Sequence, residues 1–297
     1  MPTTSASTAS AVTPPLSAEL APSRGAARRR PRRLGRRVAA ALAYAAPVLV
    51  LLLLWEVAVL AGWMDGRLLP APHAIAVRAA QLLSQDSERV LLTHIGLSFL
   101  RAFAAFVLAV LVAVPLGFFL GLSRSAHAWV SPVLSMLLPL PAVAWTPVFL
   151  VTLGRGDATI VCVCFLGAFF PILYSTIQGV QAISRQSMWV VRSMGAGAVD
   201  IFFKVLLPSS LPTLLTGFKL GLAHSWRTLV AAEMLAAAAY GLGYMIFAAR
   251  AYADTASMFV GIVALALVGI VMERLLFGSL ERLTVRRWYP QRGGQNR

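Results

Sequence analysis

An arginine and a glutamate, Arg227 and Glu233, lie within one apolar stretch of this sequence. Arg227 lies about fifteen residues into the stretch Leu211–Ala237, and Glu233 follows six residues later. If this stretch crosses a membrane, a central arginine costs about 3 kcal/mol, so Arg227 is a functional candidate by default. Six helical residues turn through about 240°, so these two side chains do not pair within one helix. Arg227 therefore either attracts an anionic solute or pairs with carbonyls or an acid such as Glu56, and Glu233 either bonds to another helix or gates a solute path.

The sequence contains no recognisable set of catalytic, phosphate-binding or metal-binding residues. Its only lysines, Lys204 and Lys219, lack the glycine-rich context of a phosphate-binding loop, so this chain does not hydrolyse ATP. The cysteines Cys162 and Cys164 point about 200° apart on a helix, which excludes a shared metal ion or a mutual disulfide. Four scattered histidines lack the spacing of metal ligands, namely His73, His94, His127 and His224. We therefore expect no catalytic residue, no metal and no cofactor.

Three prolines surround a tryptophan in another apolar stretch, Trp129–Leu153. Each proline removes one backbone hydrogen bond and bends or breaks a helix. Broken helices at membrane depth are tolerated where they line a cavity or pack inside protein. We therefore predict that this stretch borders a solute path. The alternative is that the kink serves only the packing of the helices. The residues concerned are Pro139, Pro141, Trp145 and Pro147.

The composition explains why these stretches indicate membrane helices. Of 297 residues, 59% are hydrophobic and only 12% are charged, whereas soluble domains average about 25% charged residues. The net charge of +15 does not indicate nucleic-acid binding, because eight of the 26 basic residues lie together between Arg24 and Arg37. A nucleic-acid interface needs its basic residues on a folded surface. Residues 1–37 are instead predicted to be a disordered basic tail on the cytoplasmic side of a membrane.

Six apolar stretches are long enough to cross a membrane. About 20 helical residues span roughly 30 Å of hydrocarbon, and the need to pair every backbone group in lipid favours helices. Arg101, near one end of the second stretch, is predicted to extend its side chain towards the lipid–water interface. We predict an all-α membrane protein whose spans are Val38–Gly62, His94–Leu122, Trp129–Leu153, Ala158–Val180, Leu211–Ala237 and Ser257–Phe277.

The basic residues predict the side of the membrane on which each loop lies. With a cytoplasmic N terminus, the cytoplasmic segments hold 18 basic residues and the opposite segments hold five. Cytoplasmic loops carry the excess of Lys and Arg, so both termini are predicted to be cytoplasmic. Without the N-terminal tail the ratio is still ten to five. The transmembrane domain is then predicted at 38–280, followed by a cytoplasmic C-terminal tail at 281–297.

The longest predicted cytoplasmic loop, residues 181–210, is unusually rich in large apolar side chains. Gly195 and Gly197 interrupt its first helical stretch, so we expect two short helices joined at these glycines. Pro208 and Pro212 are predicted to end the second helix before the next span begins. A docking surface for another protein explains the apolar content. A helix lying in the membrane interface is the alternative.

This loop resembles the cytoplasmic motif of permeases from binding-protein-dependent ABC importers. In that motif a glycine is followed, after nine residues, by isoleucine, any residue, leucine and proline. Here Gly195 is followed, after nine residues, by Val-Leu-Leu-Pro ending at Pro208, with valine in place of isoleucine. The motif's opening Glu-Ala-Ala falls on the Trp-Val-Val that begins at Trp189, where this chain departs from the pattern.

The resemblance extends over most of the chain from about residue 90. The segments LPLPAVAWTPVFLVTLGRGDATI, FLGAFFPILYSTIQGV and VAAEMLAAAAYGLGYMI look like the branch that imports sulfonates, taurine, nitrate or bicarbonate. A branch that moves pyrimidine-type vitamin precursors is also similar. The resemblance implies the type I ABC importer permease fold and a homodimer of permeases. It also implies two ATP-hydrolysing subunits and a periplasmic or lipid-anchored solute-binding protein.

By this resemblance, the loop is expected to dock on the ATPase and to transmit its movement through a rigid element with two positions. Phe202, Phe203 and Val205 would supply the apolar contact, and Arg192 and Lys204 the polar rim. The residues predicted for coupling are Arg192, Gly195, Asp200, Phe202, Phe203, Lys204, Val205, Leu207 and Pro208. Those predicted for the solute path are Pro139, Pro141, Trp145, Pro147, Arg227 and Glu233.

Three other functions are compatible with a chain of six apolar spans. A secondary transporter commonly carries two related repeats in one chain, and no internal repeat is visible here. A membrane enzyme would need a paired acid, base or metal site, which the sequence lacks. An importer permease for another class of solute stays open, because the choice of solute rests largely with the binding protein.

Overall fold

The computed structural model of this chain describes residues 33–84 and 88–274. Within those ranges the backbone consists of helices and connecting turns, with no β-strand. The predicted tails, 1–37 and 281–297, lie outside the described residues, apart from residues 33–37, which already belong to the first helix. The chain divides into two compact units, one ending at Leu51 and the other beginning at Leu52.

The described residues form eleven α-helices, one 3-10 turn and one π turn. The first helices are α1 (Arg33–Leu60), α2 (Pro72–Ser84), α3 (Glu88–Leu122), α4 (Arg124–Leu137), the 3-10 turn Ala142–Trp145, α5 (Thr146–Leu153) and α6 (Asp157–Gln181). They are followed by α7 (Arg185–Ser193), α8 (Ala198–Ile201), the π turn Phe202–Leu206, α9 (Leu207–Ala236), α10 (Leu242–Ala251) and α11 (Thr255–Met272).

Five of the predicted membrane crossings coincide with long apolar helices. Four are continuous and are long and apolar enough to cross a membrane, namely Leu91–Leu122, Asp157–Gln181, Ala198–Ala236 and Thr255–Met272. The fifth is the pair Arg124–Leu137 and Ala142–Leu153, which is bent by 86° at a short break. The first predicted span, Val38–Gly62, is helical as far as Leu60. The prediction of an all-α membrane protein is confirmed for the described part of the chain.

The bend in the third predicted span lies where its prolines predict it. Pro139 and Pro141 fall between α4 and the 3-10 turn, in the break itself. Pro147 lies in the first turn of α5, where a missing backbone N–H removes no helical hydrogen bond. The Thr146 hydroxyl donates to the Val143 carbonyl over 2.7 Å and supports the corner. The predicted kink is therefore confirmed.

Pro208 and Pro212 do not end a helix, contrary to our prediction. The helix continues from Ala198 to Ala236. A proline clashes with the carbonyl four residues earlier, but the π turn immediately before Pro208 widens the helix at that point. There the Leu207 N–H donates to the Phe202 carbonyl, five residues back. The wider turn accommodates Pro208, so that one unbroken rod joins the loop to the next membrane span.

The core of the second unit is a packed trio of helices in which α6 contacts both α3 and α9. Membrane helices gain little from apolar burial against lipid, so close approach through small residues holds them together. Helix α3 presents a small residue at every fourth position, and its alanines there are fully buried. This ridge comprises Ala105, Ala109, Ala113, Gly117 and Gly121.

Glycines allow the helices of this trio to touch backbone to side chain. A Cβ on Gly117 would lie 2.6 Å from the Thr176 Cβ, and one on Gly217 would lie 2.5 Å from the Ser175 Cβ. Both distances are far shorter than a carbon–carbon contact allows. Helix α6 is therefore held between α3 and α9 at a separation that only glycine permits.

An ion pair away from the trio joins α2 to the start of α11. The Arg78 Nη2 donates to the Asp254 Oδ2 over 2.9 Å, and Asp254 also caps α11 by accepting from the Ser257 N–H. Burial alone would raise the pKa of Asp254, but hydrogen bonds from Ser257 and the Arg78 guanidinium hold the pKa below its usual value. Both side chains, Arg78 and Asp254, are about one-third exposed, so this ion pair is partly accessible to solvent.

Replacing Gly217 by alanine tests the close approach of α6 and α9. The added Cβ must displace Ser175, and overpacking of this kind costs about 1–3 kcal/mol. We expect Gly217→Ala to lower the melting temperature of the purified protein in detergent. Gly96→Ala is the matched control, because a Cβ at Gly96 meets no atom within 4 Å and alanine favours a helix. Equal melting temperatures for the two variants would contradict the packing described here.

Candidate functional site

The segment between α6 and α9 contains one short helix, α7, which glycines join to the beginning of the long helix Ala198–Ala236. The predicted junction at Gly195 and Gly197 is therefore present, but the second helix is not a separate short one. We call residues 185–206 the α7–α9 segment. Helix α7 ends at Ser193. Two residues later, Gly195 has a φ of +82°, in the left-handed region that favours glycine. The Ala196 N–H donates to the Val191 carbonyl and the Gly195 N–H donates to the Arg192 carbonyl, which closes a Schellman-type turn. Gly195 therefore sets the angle between α7 and the long helix.

One side of the α7–α9 segment is anchored in the protein. Ile201 and Leu206 are buried in a cluster that includes Phe118 of α3 and Val180 of α6. The Phe202 ring packs against the Phe118 ring, with centroids 5.1 Å apart. A displacement of this segment must therefore displace the ends of α3 and α6 as well.

The other side of the α7–α9 segment exposes large apolar side chains. Phe203 is 61% exposed, and the exposed apolar set also includes Trp189, Val190, Met194 and Val199. Charged groups stand beside this set, since Arg192 is exposed and Asp200 pairs with Lys204 over 2.6 Å. Such exposed pairs contribute under about 1 kcal/mol. The patch has the mixed apolar and charged character of a protein-docking surface.

The residues predicted for coupling fall on both sides of this segment. Those exposed are Arg192, Gly195, Asp200, Phe203 and Lys204, and those half-buried are Phe202, Val205, Leu207 and Pro208. Phe202 and Phe203 are neighbours in sequence, yet one ring faces the protein and the other faces outward. The structure therefore separates an anchoring group from an exposed group within the predicted set.

A groove of about 580 Å³ lies between the broken span and the helices α6 and α9. Pro139 and Pro141 are among the residues that line it. Its polar lining groups, which sequence reasoning did not select, are Tyr174, Gln178, His224 and Thr228. These lie at i and i+4 on α6 and on α9, so each pair occupies one helix face. Trp145 and Pro147 do not line this groove.

Arg227 lies elsewhere, in a second groove of about 320 Å³ between α9 and α11. Its neighbours there include Lys219, Trp226 and Glu273. Among the described residues no acid forms a salt bridge with Arg227. The suggested partner, Glu56, instead accepts a hydrogen bond from the His73 backbone N–H and contacts the His73 ring. The structure therefore does not bring Arg227 together with Pro139 and Pro141.

Glu233 lies in neither groove, but in a buried network of charges at the end of α9. Its carboxylate is fully buried and accepts from the Arg101 Nη1 over 2.8 Å and from the Ser98 hydroxyl over 2.8 Å. The Arg101 Nη2 donates to the Asp157 Oδ1 over 2.6 Å. One guanidinium thus joins carboxylates from α6 and α9.

Arg101 does not extend towards an interface, contrary to our prediction. Its side chain is only 7% exposed, because Glu233 and Asp157 hold the guanidinium inside the protein. Breaking such a buried pair by removing one partner costs about 3–5 kcal/mol, since the other charge is left uncompensated. The network is therefore a strong local constraint on α3, α6 and α9.

The same network holds the α9–α10 turn, which we define as residues 237–243. The Arg101 guanidinium donates to the Tyr240 carbonyl over 2.6 Å, and the Gly243 N–H donates to the Glu233 carboxylate over 2.8 Å. The Leu242 N–H donates to the Ser98 hydroxyl, and the His94 Nδ1 lies 2.8 Å from both the N and the O of Gly241.

Gly241 is required where the turn crosses Glu233. Its φ is +145°, and a Cβ there would lie 2.5 Å from the Glu233 carboxylate. The turn therefore rests directly on the buried carboxylate.

Sequence reasoning missed three members of this network, His94, Ser98 and Asp157. A signal was present, because His94, Ser98 and Arg101 are spaced by four and three residues on one face of an otherwise apolar helix. A polar stripe on a membrane helix indicates a buried interaction with another helix. The identity of the partner, Glu233, was not readable, because it lies 132 residues away.

Comparison with known proteins gives the family of this chain. Residues 113–283 match the family described as "binding-protein-dependent transport system inner membrane component", which covers more than half of the chain. The chain therefore belongs to this family and is a permease subunit of an ABC importer, a system that works with an ATPase and a binding protein. Together with its apolar helices, this places it as a multi-pass protein of the inner membrane.

Individual relatives agree with the branch predicted from the sequence. A probable ABC transporter permease protein of Brucella melitensis is 36% identical over 216 residues, which cover 73% of this chain and 86% of that protein. The taurine transport system permease protein TauC of Escherichia coli is 29% identical over 79% of this chain and 86% of its own length. The nitrate import permease protein NrtB of Synechocystis is 27% identical over 81% and 88%, respectively.

A solved structure supports the predicted type I fold. A chain of the MetNI methionine ABC transporter, in an inward-facing conformation, superposes with a TM-score of 0.58. The match covers 69% of this chain and 99% of that chain at 19% identity, so the likeness is one of fold alone.

Removing the Glu233 carboxylate tests the energetic weight of the buried network. In Glu233→Ala the Gly243 N–H loses its acceptor and the Arg101 guanidinium loses its buried carboxylate, keeping only Asp157 and the Tyr240 carbonyl. We expect a loss of about 3 kcal/mol in stability. The measurement is thermal or denaturant unfolding of the purified protein in detergent. The matched control is Asp254→Ala, which breaks the partly exposed pair with Arg78, removes the N-cap of α11 and should cost about 2 kcal/mol or less. Equal losses for the two variants would refute the assignment of Glu233 as a buried, charge-paired residue.

Proposed function

We propose that this chain forms the solute pathway of an importer for a small anion, such as an aliphatic sulfonate, taurine or nitrate. Two copies would form the pathway as a homodimer, ATP would be hydrolysed by a separate subunit, and a periplasmic or lipid-anchored binding protein would deliver the solute. The observation that carries the proposal is the exposed apolar surface of the α7–α9 segment, at one end of a helix whose other end is locked inside the protein.

The proposed orientation places both termini and the α7–α9 segment in the cytoplasm. The excess of basic residues on that side supports it. In this orientation the exposed Phe203 and Met194 face an aqueous compartment, where large apolar side chains indicate a protein partner. The transmembrane domain would comprise residues 38–280, with cytoplasmic tails at 1–37 and 281–297.

The ATPase would contact the exposed side of the α7–α9 segment. Phe203 and its apolar neighbours would enter the interface, with Arg192, Asp200 and Lys204 at its rim. Phe202 and Val205, which are half-buried, would transmit the movement inward. Gly195 would fix the angle of α7, and Leu207 and Pro208 would connect the segment to the membrane part of α9.

The solute would pass along the groove bordered by Pro139 and Pro141. Its neutral polar groups suit a small solute that must bind weakly and leave again. Trp145 and Pro147 would shape the broken span. Arg227 lies in the separate groove between α9 and α11, and would add positive potential for an anion only at longer range. Glu233 would stay outside the path, since Arg101, Ser98 and Gly243 occupy its oxygens.

Two other functions are not favoured. A secondary transporter conflicts with membership of the binding-protein-dependent family. A pyrimidine-type vitamin precursor has less support than an anion, because TauC and NrtB are named for taurine and nitrate.

Replacing Phe203 by glutamate tests the docking surface. A carboxylate buried against an apolar partner is unfavourable, so we expect Phe203→Glu to weaken binding of the ATPase at least tenfold. The measurement is co-purification from detergent extract, followed by titration of the ATPase into permease held in nanodiscs.

The control for this variant is Tyr252→Glu. Tyr252 is 85% exposed in the connection between α10 and α11, so the same change is made on the opposite side of the proposed membrane. Tyr252→Glu should bind the ATPase as the parent does. If Phe203→Glu also retained full binding, the α7–α9 segment would not be the docking surface.

The substrate is tested on the solute-binding protein that we expect to be encoded beside this chain. We expect that protein to bind taurine, an alkanesulfonate or nitrate, measured by isothermal titration calorimetry with a pyrimidine as comparison. We expect uptake of the bound anion to fail in cells that lack this permease. Binding of a pyrimidine and of no anion would overturn the anion assignment while leaving the permease assignment intact.

A further inference from the structure

One helix carries both the α7–α9 segment and the buried charge network. Residues Ala198–Ala236 form a continuous rod, about 58 Å long at 1.5 Å per residue. Phe203 lies near its beginning and Glu233 lies in its last turn. A displacement applied by a partner at one end therefore reaches the network at the other end, provided that the rod stays rigid.

We propose that Arg101, Glu233 and Asp157 are positioning residues for transport, because they clamp the α9–α10 turn to α3, α6 and α9 so that all four move as one body. The inference rests on the function proposed above, since the movement must come from an ATPase. Beyond that function, we infer that the α9–α10 turn moves together with α9 because the ion-paired network bonds the turn to the helix.

The backbone of the turn is bonded to helix side chains at four consecutive positions, residues 240–243. These side chains come from α3 and α9, which are different segments of the chain. The bonds at Leu242 and Gly243 satisfy free N–H groups in the first turn of α10, whereas the contacts at Tyr240 and Gly241 tie the turn itself to α3. The turn can therefore leave the end of α9 only if several buried hydrogen bonds break together.

The start of α6 is also bonded to the end of α9 and to Arg101. The Gly156 N–H, at the start of α6, donates to the Ala236 carbonyl over 2.9 Å, and the next residue, Asp157, accepts from two nitrogens of Arg101. The clamp therefore includes all three helices of the packed trio.

There is also no free space between the turn and the helix. A Cβ on Gly241 would lie 2.5 Å from the Glu233 carboxylate, and one on Gly243 would lie 2.4 Å from the Val230 carbonyl. Closely packed interiors transmit displacement and resist compression. A tilt of α9 must therefore displace the turn immediately.

The charges of the clamp can be removed separately without changing its shape. Glu233→Gln keeps the volume of the fully buried side chain and removes its charge. Asp157→Asn does the same at a side chain that is 68% exposed. Asp254→Asn is the matched control, because its pair with Arg78 joins α2 to α11 and does not involve α9.

The experiment measures the distance between the turn and α3 in the working complex. Spin labels are attached at Gly96→Cys and Ala239→Cys, both exposed positions, in a chain that carries Cys162→Ala and Cys164→Ala. The permease is assembled with its ATPase in nanodiscs, and distances are recorded without nucleotide and after trapping with ATP and vanadate. ATP hydrolysis and melting temperature are measured on every sample.

In the parent and in Asp254→Asn we expect one narrow distance that is the same in both nucleotide states. In Glu233→Gln we expect the distribution to broaden without nucleotide and to shift by several ångströms on trapping. Asp157→Asn should show the same change to a smaller extent, and it decides the question if Glu233→Gln does not fold. A lower melting temperature with unchanged distances would mean a merely structural role and would overturn the proposal.

The same data distinguish the clamp from the proposed function. If an assembled, ATP-hydrolysing complex shows parent-like distances in both clamp variants, the clamp is refuted and the permease assignment stands. If the parent's own distance changes on trapping, the turn does not move with α3 and the proposal fails. If the parent never assembles with an ATPase, the coupling function fails, and the transmission inferred here fails with it.

Discussion

The close approach of α6 to α3 and α9 is the constraint on which the rest of this structure depends. Lipid chains are as apolar as leucine side chains, so burial alone does little to hold membrane helices together. The alanine and glycine ridge of α3 and the glycines of α9 allow side chains of α6 to contact neighbouring backbones. Only at this separation do the ends of the three helices meet closely enough to form the features described above.

The two ends of the trio use opposite chemistry. At one end, Phe118, Ile201 and Leu206 anchor the α7–α9 segment by apolar packing, and apolar groups are also exposed. At the other end, Arg101 and Glu233 are buried as a charged pair. Apolar contacts suit a surface that must engage and release a partner, whereas a buried ion pair fixes one geometry, because the separation of its charges is costly.

Much of the fold was predictable because it depends on local signals. The lengths of the apolar stretches predicted four crossings that are long helices in the structure and a fifth that is a bent pair of shorter helices, and Pro139 and Pro141 predicted the position of the 86° bend. The two glycines of the loop predicted the junction between α7 and the helix that begins at Ala198. Pro208 was misread because a proline rule assumes α-helical spacing, and the π turn before Pro208 removes the clash. Pro212 lies inside α9, and the structure offers no such explanation for it.

The candidate site was less predictable because its contacts join distant parts of the chain. Arg101 was expected at an interface since its partners, Asp157 and Glu233, lie 56 and 132 residues away. Glu56 was a plausible partner for Arg227 by charge alone, yet it contacts His73. The polar stripe of α3 indicates that another helix supplies a polar partner, but it does not identify the residue.

We propose that the α7–α9 segment lies in the cytosol and that the α10–α11 connection lies on the opposite side of the membrane. The most direct test is labelling of single cysteines with a membrane-impermeant maleimide, using Met194→Cys and Tyr252→Cys in a chain with Cys162→Ala and Cys164→Ala. Met194 and Tyr252 are 81% and 85% exposed, so both should react whenever the reagent reaches them. In the proposed orientation, intact spheroplasts should label Tyr252→Cys, and Met194→Cys should react only after permeabilisation. Labelling of Met194→Cys in intact spheroplasts would contradict it.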